Sequence, residues 1–154
     1  MTTHSHPPLD KNGRIEKARA VCVAHGERFT PLRAHIFELL VDADGPIKAY
    51  DLLEQLRPER GSPKPPTVYR ALEFLQESGL VHKISSLNAY VGCGHPLTHR
   101  DCFFLICSDC NEVEECCGSS VAETLRDMAT KQHFTPHHTT LEIEGTCQTC
   151  QAAS

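Results

Sequence analysis

Four cysteines in two C-x-x-C pairs, Cys107 with Cys110 and Cys147 with Cys150, carry the most specific chemistry in this sequence. Each pair can present two thiolates to one ion, and two pairs complete the tetrahedral four-cysteine set that structural zinc takes. Residues 111–146 separate the pairs, longer than a minimal zinc ribbon but room enough for a helix and a strand. The ion would then join the two ends of one unit and contribute directly to its folding. The rival chemistry is a thioredoxin-like redox couple. It needs a βαβ context with the cysteines at a helix N-terminus, which neither pair is expected to have. Cys116 and Cys117 are left over and read as small buried hydrophobes or spare thiols.

A second, scattered set holds His82, Cys93, His99 and Glu115. Its nitrogen, sulfur, nitrogen and oxygen donors suit tetrahedral zinc. Spacing alone does not single it out, and His95, Asp101, Cys102 and His138 compete for the same role.

The bulk properties frame this chemistry. The chain has 154 residues, enough for one domain or two small ones, and 40% are hydrophobic. Two small cores would each be thin, and thin cores lean on metals or oligomerisation. No run approaches the roughly 20 apolar residues of a membrane span. The N-terminus lacks the apolar core of a signal peptide, so a cytoplasmic protein without a membrane partner is expected. In a reducing cytosol, nine cysteines read as ligands or redox groups rather than structural disulfides. Net charge is −5, divided unevenly: residues 1–91 hold 12 basic against 11 acidic side chains, and residues 92–154 hold 3 against 9. That asymmetry is compatible with a half facing nucleic acid and an acidic half holding cations.

The elements that must position these residues follow from periodicity. Ile15, Ala18 and Cys22 mark a first helix closed near Gly26. Thr30 and Pro31 open a second, with Leu32, Ile36, Leu39 and Leu40 on one face. Ala49, Leu52, Leu53 and Leu56 give a third, poorly capped by Lys48 and ended by Pro58. Pro65 and Pro66 open a fourth, Gly79 closes it, and Val68, Ala71, Leu72 and Leu75 face inward. Thr67, Tyr69, Arg70 and Glu73 then point away from the core. "LVHKI" and "AYVGC" around "SSLN" predict a hairpin. Short helices followed by a hairpin predict a winged helix-turn-helix, its fourth helix entering the major groove with Tyr69 and Arg70 near the helix start. Arginine pairs with guanine edges or phosphate, and tyrosine donates to phosphate or packs on a thymine methyl. "GCGHPLTHRD" reads as a hinge. Beyond it, "CFFLIC", "EVEECC" and "TTLEIEG" predict three strands. "SSVAETLRDMATKQH" predicts a helix with a Ser120–Glu123 capping box and Val121, Leu125 and Met128 buried. The expected fold is α+β: a winged-helix domain over 1–91, a hinge over 92–100, and an α/β dimerisation and zinc-binding domain over 101–154 with a three-stranded sheet and helix.

"AYDLLEQL", "KPPTVYRALEFLQESGLVHK", "NAYVGC", "PLTH", "FLICSDCNEVEE" and "GTCQTC" together resemble the Fur family of metal-responsive repressors, and "PPTVYRAL" followed by "VHK" resembles its zinc-sensing branch. The resemblance runs from about Ile15 to Cys150. It implies a homodimer on double-stranded DNA carrying an AT-rich inverted repeat. It also implies two zinc ions per subunit: a structural one at Cys107, Cys110, Cys147 and Cys150, and a regulatory one at His82, Cys93, His99 and Glu115. Tyr50 and Arg70 match residues that read purines, with Tyr69 and Thr67 beside them. Glu54 and Arg57 match positions that pair charges between adjacent dimers. The chain departs from the family in a shorter loop from Cys93 to His99, in an "HRDC" segment that carries Cys102, and in lacking the long His-rich tail of some members. A third metal site would draw on His138 and Asp101.

The resemblance implies a corepressor role for zinc, which can act only by binding more tightly to the conformer that binds DNA. Two other functions compete. Iron, manganese or peroxide sensing on the same fold would favour histidine and carboxylate donors over Cys93. A zinc hydrolase or thiol enzyme would need an open metal position, and H-E-x-x-H, G-x-S-x-G and phosphate-binding glycine loops are all missing.

Overall fold

The computed structural model describes residues 10–57, 61–93, 102–117, 120–137 and 139–154. They fall into two compact units, one within residues 1–94 and one within 95–154. Most of the expected hinge, with His95, His99 and Asp101, lies outside the described residues, as do His138 and Pro58.

In the first unit, α1 (Lys11–Ala24) starts where the Asp10 carboxylate accepts from the Gly13 N–H at 2.8 Å. The helix buries Ala18 and Cys22, and Gly26 beyond it takes φ +70°. Helix α2 (Pro31–Asp42) opens on Thr30, whose hydroxyl accepts from the Arg33 N–H at 3.3 Å. Phe37 joins Ile36 and Leu40 in its buried face, and Leu32 and Leu39 are only partly covered. Helix α3 (Ala49–Gln55) has no side-chain cap at Lys48. It follows directly on β1 (Ile47–Lys48), and its first N–H, on Ala49, donates to the Asn88 carbonyl at 3.3 Å. A tertiary bond thus replaces the missing cap.

Helix α4 (Pro65–Glu77) buries the expected Val68, Ala71, Leu72 and Leu75. Fully burying a valine or leucine is worth about 1.5–3 kcal/mol, so this face anchors the helix and fixes which side stays outward. The hairpin pairs β2 (Val81–Ile84) with β3 (Ala89–Gly92) antiparallel, Val81 opposite Gly92 and Ile84 opposite Ala89. Its turn is a short 3₁₀ segment, Ser85–Leu87, closed by Asn88 at φ 47°. The two-residue β1 adds to the other edge of β3; it is too short to carry a periodic signal. Gly92 belongs to β3, although it opens the expected hinge. A Cβ there would come within 3.0 Å of the Val41 side chain, so glycine lets the strand lie against α2.

In the second unit, β4 (Phe103–Cys107) is the central strand, with β5 (Val113–Cys116) antiparallel on one edge and β6 (Glu142–Gly145) parallel on the other. Helix α5 (Ser120–Lys131) buries Ala122, whereas Val121 is 41% and Met128 58% exposed. The expected buried face of Val121, Leu125 and Met128 is therefore only partly right: Leu125 is half-buried, whereas Val121 and Met128 stay exposed among the described residues. Ser120 is already inside the helix, so the expected capping box, which puts Ser120 at the N-cap, does not form as drawn. A six-residue helix, α6 (Gln148–Ala153), ends the chain. Among the described residues no helix is long and apolar enough to cross a membrane.

Candidate metal centres and an exposed helix face

The second unit brings Cys107, Cys110, Cys147 and Cys150 together, with all four sulfurs within 4.8 Å of one another. Topology explains the meeting. The parallel register sets Cys107 beside Gly145, and the Ser108 N–H extends the ladder to the Gly145 carbonyl at 2.8 Å. Cys147 follows two residues later and enters the same space. Between the first two cysteines the chain turns tightly: the Cys107 N–H donates to the Glu112 carbonyl, the Asn111 N–H to the Cys107 carbonyl, and Asn111 takes φ 59°. Asparagine tolerates that left-handed conformation better than most residues. Cys147 is the N-cap of α6, and its sulfur accepts from the Cys150 N–H at 3.5 Å.

That last feature corrects one expectation, since one of the pairs does stand at a helix N-terminus. The redox reading still does not follow, because the two pairs converge on each other: Cys110 Sγ and Cys147 Sγ are 3.8 Å apart. The backbone N–H groups of Cys147 and Cys110 lower the Cys107 thiol to about 6. The Cys147 side chain, and then that of Cys110, push the Cys150 thiol far up. Four crowded thiols cannot all ionise next to one another. A divalent cation reverses this logic and deprotonates coordinating thiols outright. A closed, all-sulfur donor set fits zinc.

In the first unit, His82 lies on β2 and Cys93 just past β3, and both are buried, at 8% and 2% exposure. The Cys93 N–H donates to the Leu80 carbonyl at 2.8 Å, continuing the hairpin register by one step. His82 and Cys93 are therefore diagonal neighbours on one face of the ladder. A ring nitrogen of His82 and the Cys93 sulfur lie within 4.8 Å of each other. An imidazole and a thiol buried side by side make half of a zinc donor set. In the second unit Glu115 sits half-buried on β5, opposite Phe104. His99 is outside the described residues.

The remaining predicted side chains lie on helices of the first unit. Thr67, Tyr69, Arg70 and Glu73 are all exposed along α4, Tyr69 to 44%. Tyr50 is 68% exposed on α3. Glu54 and Arg57 pair with each other within the chain, at 3.1 Å.

Sequence reasoning missed one arrangement. Cys102 and Cys117 form a disulfide, against the expectations that no cysteine would be so paired and that Cys117 was a spare thiol. The strand register that aligns them has no short-range signature.

Among known proteins, a model of the ferric uptake regulator family matches residues 24–144. The chain is 41% identical over 139 residues to the zinc uptake regulation protein of Escherichia coli, spanning 88% of this chain and 80% of that protein. It is 33% identical over 133 residues to the protein of the same name from Mycobacterium tuberculosis, spanning 84% of this chain and 98% of that one. A solved zinc uptake regulator complexed with zinc and DNA superposes with a TM-score of 0.84 at 36% identity, over 94% of this chain and 97% of that chain.

Proposed function

The chain belongs to the ferric uptake regulator family, and from that premise we propose that it is a zinc-responsive transcriptional repressor whose grip on DNA depends on bound zinc. It is a DNA-binding regulator and not an enzyme. One observation carries the reading: buried His82 and Cys93 share a face of the hairpin that directly follows α4, whose outer side exposes Thr67, Tyr69 and Arg70. Metal donors and a candidate DNA-reading surface thus occupy consecutive elements of one unit.

Two zinc ions per subunit fit the donor chemistry. Cys107, Cys110, Cys147 and Cys150 would hold the first and tie the end of β4, the sheet's central strand, to the start of α6. His82, Cys93, His99 and Glu115, drawn from both halves of the sequence, would hold the second. Bound zinc supplies the positive charge that keeps the thiolates ionised and a fixed set of bond directions. With its donors engaged, the hairpin loses freedom, and α4 is held in fewer orientations. The Cys93 thiolate selects zinc over iron(II) and manganese, which favour nitrogen and oxygen donors. Tyr50, Thr67, Tyr69 and Arg70 would contact DNA, Arg70 on a base edge and the tyrosines on phosphate or thymine methyls. Two chains forming a homodimer would meet an AT-rich inverted repeat, and Glu54 and Arg57 would exchange their mutual ion pair for one with a neighbouring dimer.

The deciding experiment selects a binding sequence in vitro with zinc-loaded protein, then measures affinity for it in zinc, manganese and iron(II) buffers. We expect zinc alone to raise affinity about a thousandfold, a coupling of about 4 kcal/mol. Equal affinity after zinc removal, or activation by manganese or iron(II) at physiological free concentrations, would overturn the reading.

A further inference from the structure

Cys102 and Cys117 stand outside both zinc sets. Strands β4 and β5 pair antiparallel from Ile106 opposite Val113 to Phe103 opposite Cys116. One step further, the same register sets Cys102 against Cys117, and the structure joins them as a disulfide. Glu115 precedes Cys117 by two residues, so strand alternation puts both side chains on one face, and Cys102 shares it. The two sulfurs and a Glu115 carboxylate oxygen all lie within 4.8 Å of one another. Cys117 Sγ is 3.1 Å from Glu115 Oε1, a separation at which a reduced thiol donates to the carboxylate. Cys102 is buried and the other two are half-buried.

We propose that Cys102, Cys117 and Glu115 form a thiol-gated site for a thiophilic divalent cation such as zinc or cadmium, open when the cysteine pair is reduced and shut when it is a disulfide. Reduced, the site offers two thiolates and a carboxylate, a set that suits zinc-like ions and is poor for magnesium, calcium or manganese. Three protein donors leave one position for water. Oxidised, the sulfurs are bonded to each other and carry neither charge nor proton, so the thiolate ligands no longer exist. The closing step pairs two thiols with a peroxide. The thiols give up two protons and two electrons as the sulfur–sulfur bond forms, and hydrogen peroxide breaks its oxygen–oxygen bond and leaves as two waters. A small dithiol reverses the step and ends as its own disulfide. This site goes beyond the repressor reading and shares only Glu115 with it.

The test uses the full chain carrying Cys93→Ser, which removes the soft donor of the proposed regulatory set, loaded with one zinc per chain to fill the four-cysteine set. Cobalt(II) is the probe: it binds such sites less tightly than zinc, so it leaves that zinc in place, and its bonds to thiolate absorb visibly. We expect the reduced protein to develop a thiolate-to-cobalt band that vanishes after hydrogen peroxide and returns with a dithiol. Cys102→Ser and Cys117→Ser should each abolish it, and Glu115→Gln should weaken cobalt binding at least about tenfold. Far-UV circular dichroism and zinc content verify that each variant is folded. A reduced protein without the band, or a band that survives both serine substitutions, would overturn the proposal. Zinc-stimulated DNA binding by the otherwise native chain is measured separately, so its loss would count against the repressor reading and not against this site.

Discussion

Cys93 keeps 2% of its surface exposed and His82 8%, and both side chains come from a hairpin whose register is set by backbone bonds. The pair can therefore be altered without moving the strands. Cys93→Ser swaps a soft donor for a hard one of similar size. We expect the fold and melting temperature to persist while zinc stimulation of DNA binding falls at least tenfold, or about 1.4 kcal/mol. Fluorescence anisotropy across zinc buffers checks this, and wild-type stimulation would remove Cys93 from the site. Arg70 is exposed on α4 and is not among the helix's buried residues. Arg70→Ala should leave unfolding unchanged and cost about 1–3 kcal/mol in specific DNA binding. An unaltered preference for the selected sequence over a scrambled one would contradict its base-reading role.

Helices α3 and α4 show how an element earns its position. Leu72 is 1% exposed and lies with Val68, Ala71 and Leu75 on one stripe. Leu72→Ala should destabilise the first unit by about 2–5 kcal/mol through lost burial and a residual cavity. Urea unfolding followed by circular dichroism measures it, and a loss under 1 kcal/mol would mean the stripe is not what seats α4. The stripe was legible because four residues at helical spacing face one core. Helix α3 was legible only in part: its apolar spacing was plain, but its start depends on β1 and on the Asn88 carbonyl, a partner 39 positions from Ala49. Helix α5 misled for a different reason. Its apolar stripe predicts burial, yet among the described residues Val121 and Met128 stay exposed and only Leu125 is half-covered.

The exposed part of that stripe belongs to the scale of the assembled molecule. Val121 and Met128 on α5 are exposed, as are Leu105 and Ile143, which are register partners on adjacent strands and so share one sheet face. An apolar helix stripe and an apolar sheet face within one small unit suit a second copy of the chain, as expected of a dimeric family member. Met128→Asp should weaken dimerisation at least tenfold, about 1.4 kcal/mol, with the zinc content of the four-cysteine set unchanged. Sedimentation velocity across protein concentration reads this out, and an unshifted dimer would place the interface elsewhere.

The two C-x-x-C pairs, the inward face of α4 and the alternation of the hairpin were written in the sequence, because each depends on residue type and on spacing within a few turns or strands. Cys107 and Cys147 lie 40 positions apart, and what brings them together is the parallel pairing of β4 with β6. The same holds for Cys102 and Cys117, which become partners only through the β4–β5 register. Local chemistry is periodic and leaves a trace along the chain. Strand pairing joins distant backbone groups that are identical at every residue, so no side chain announces it, and only the folded structure could decide which sulfurs meet.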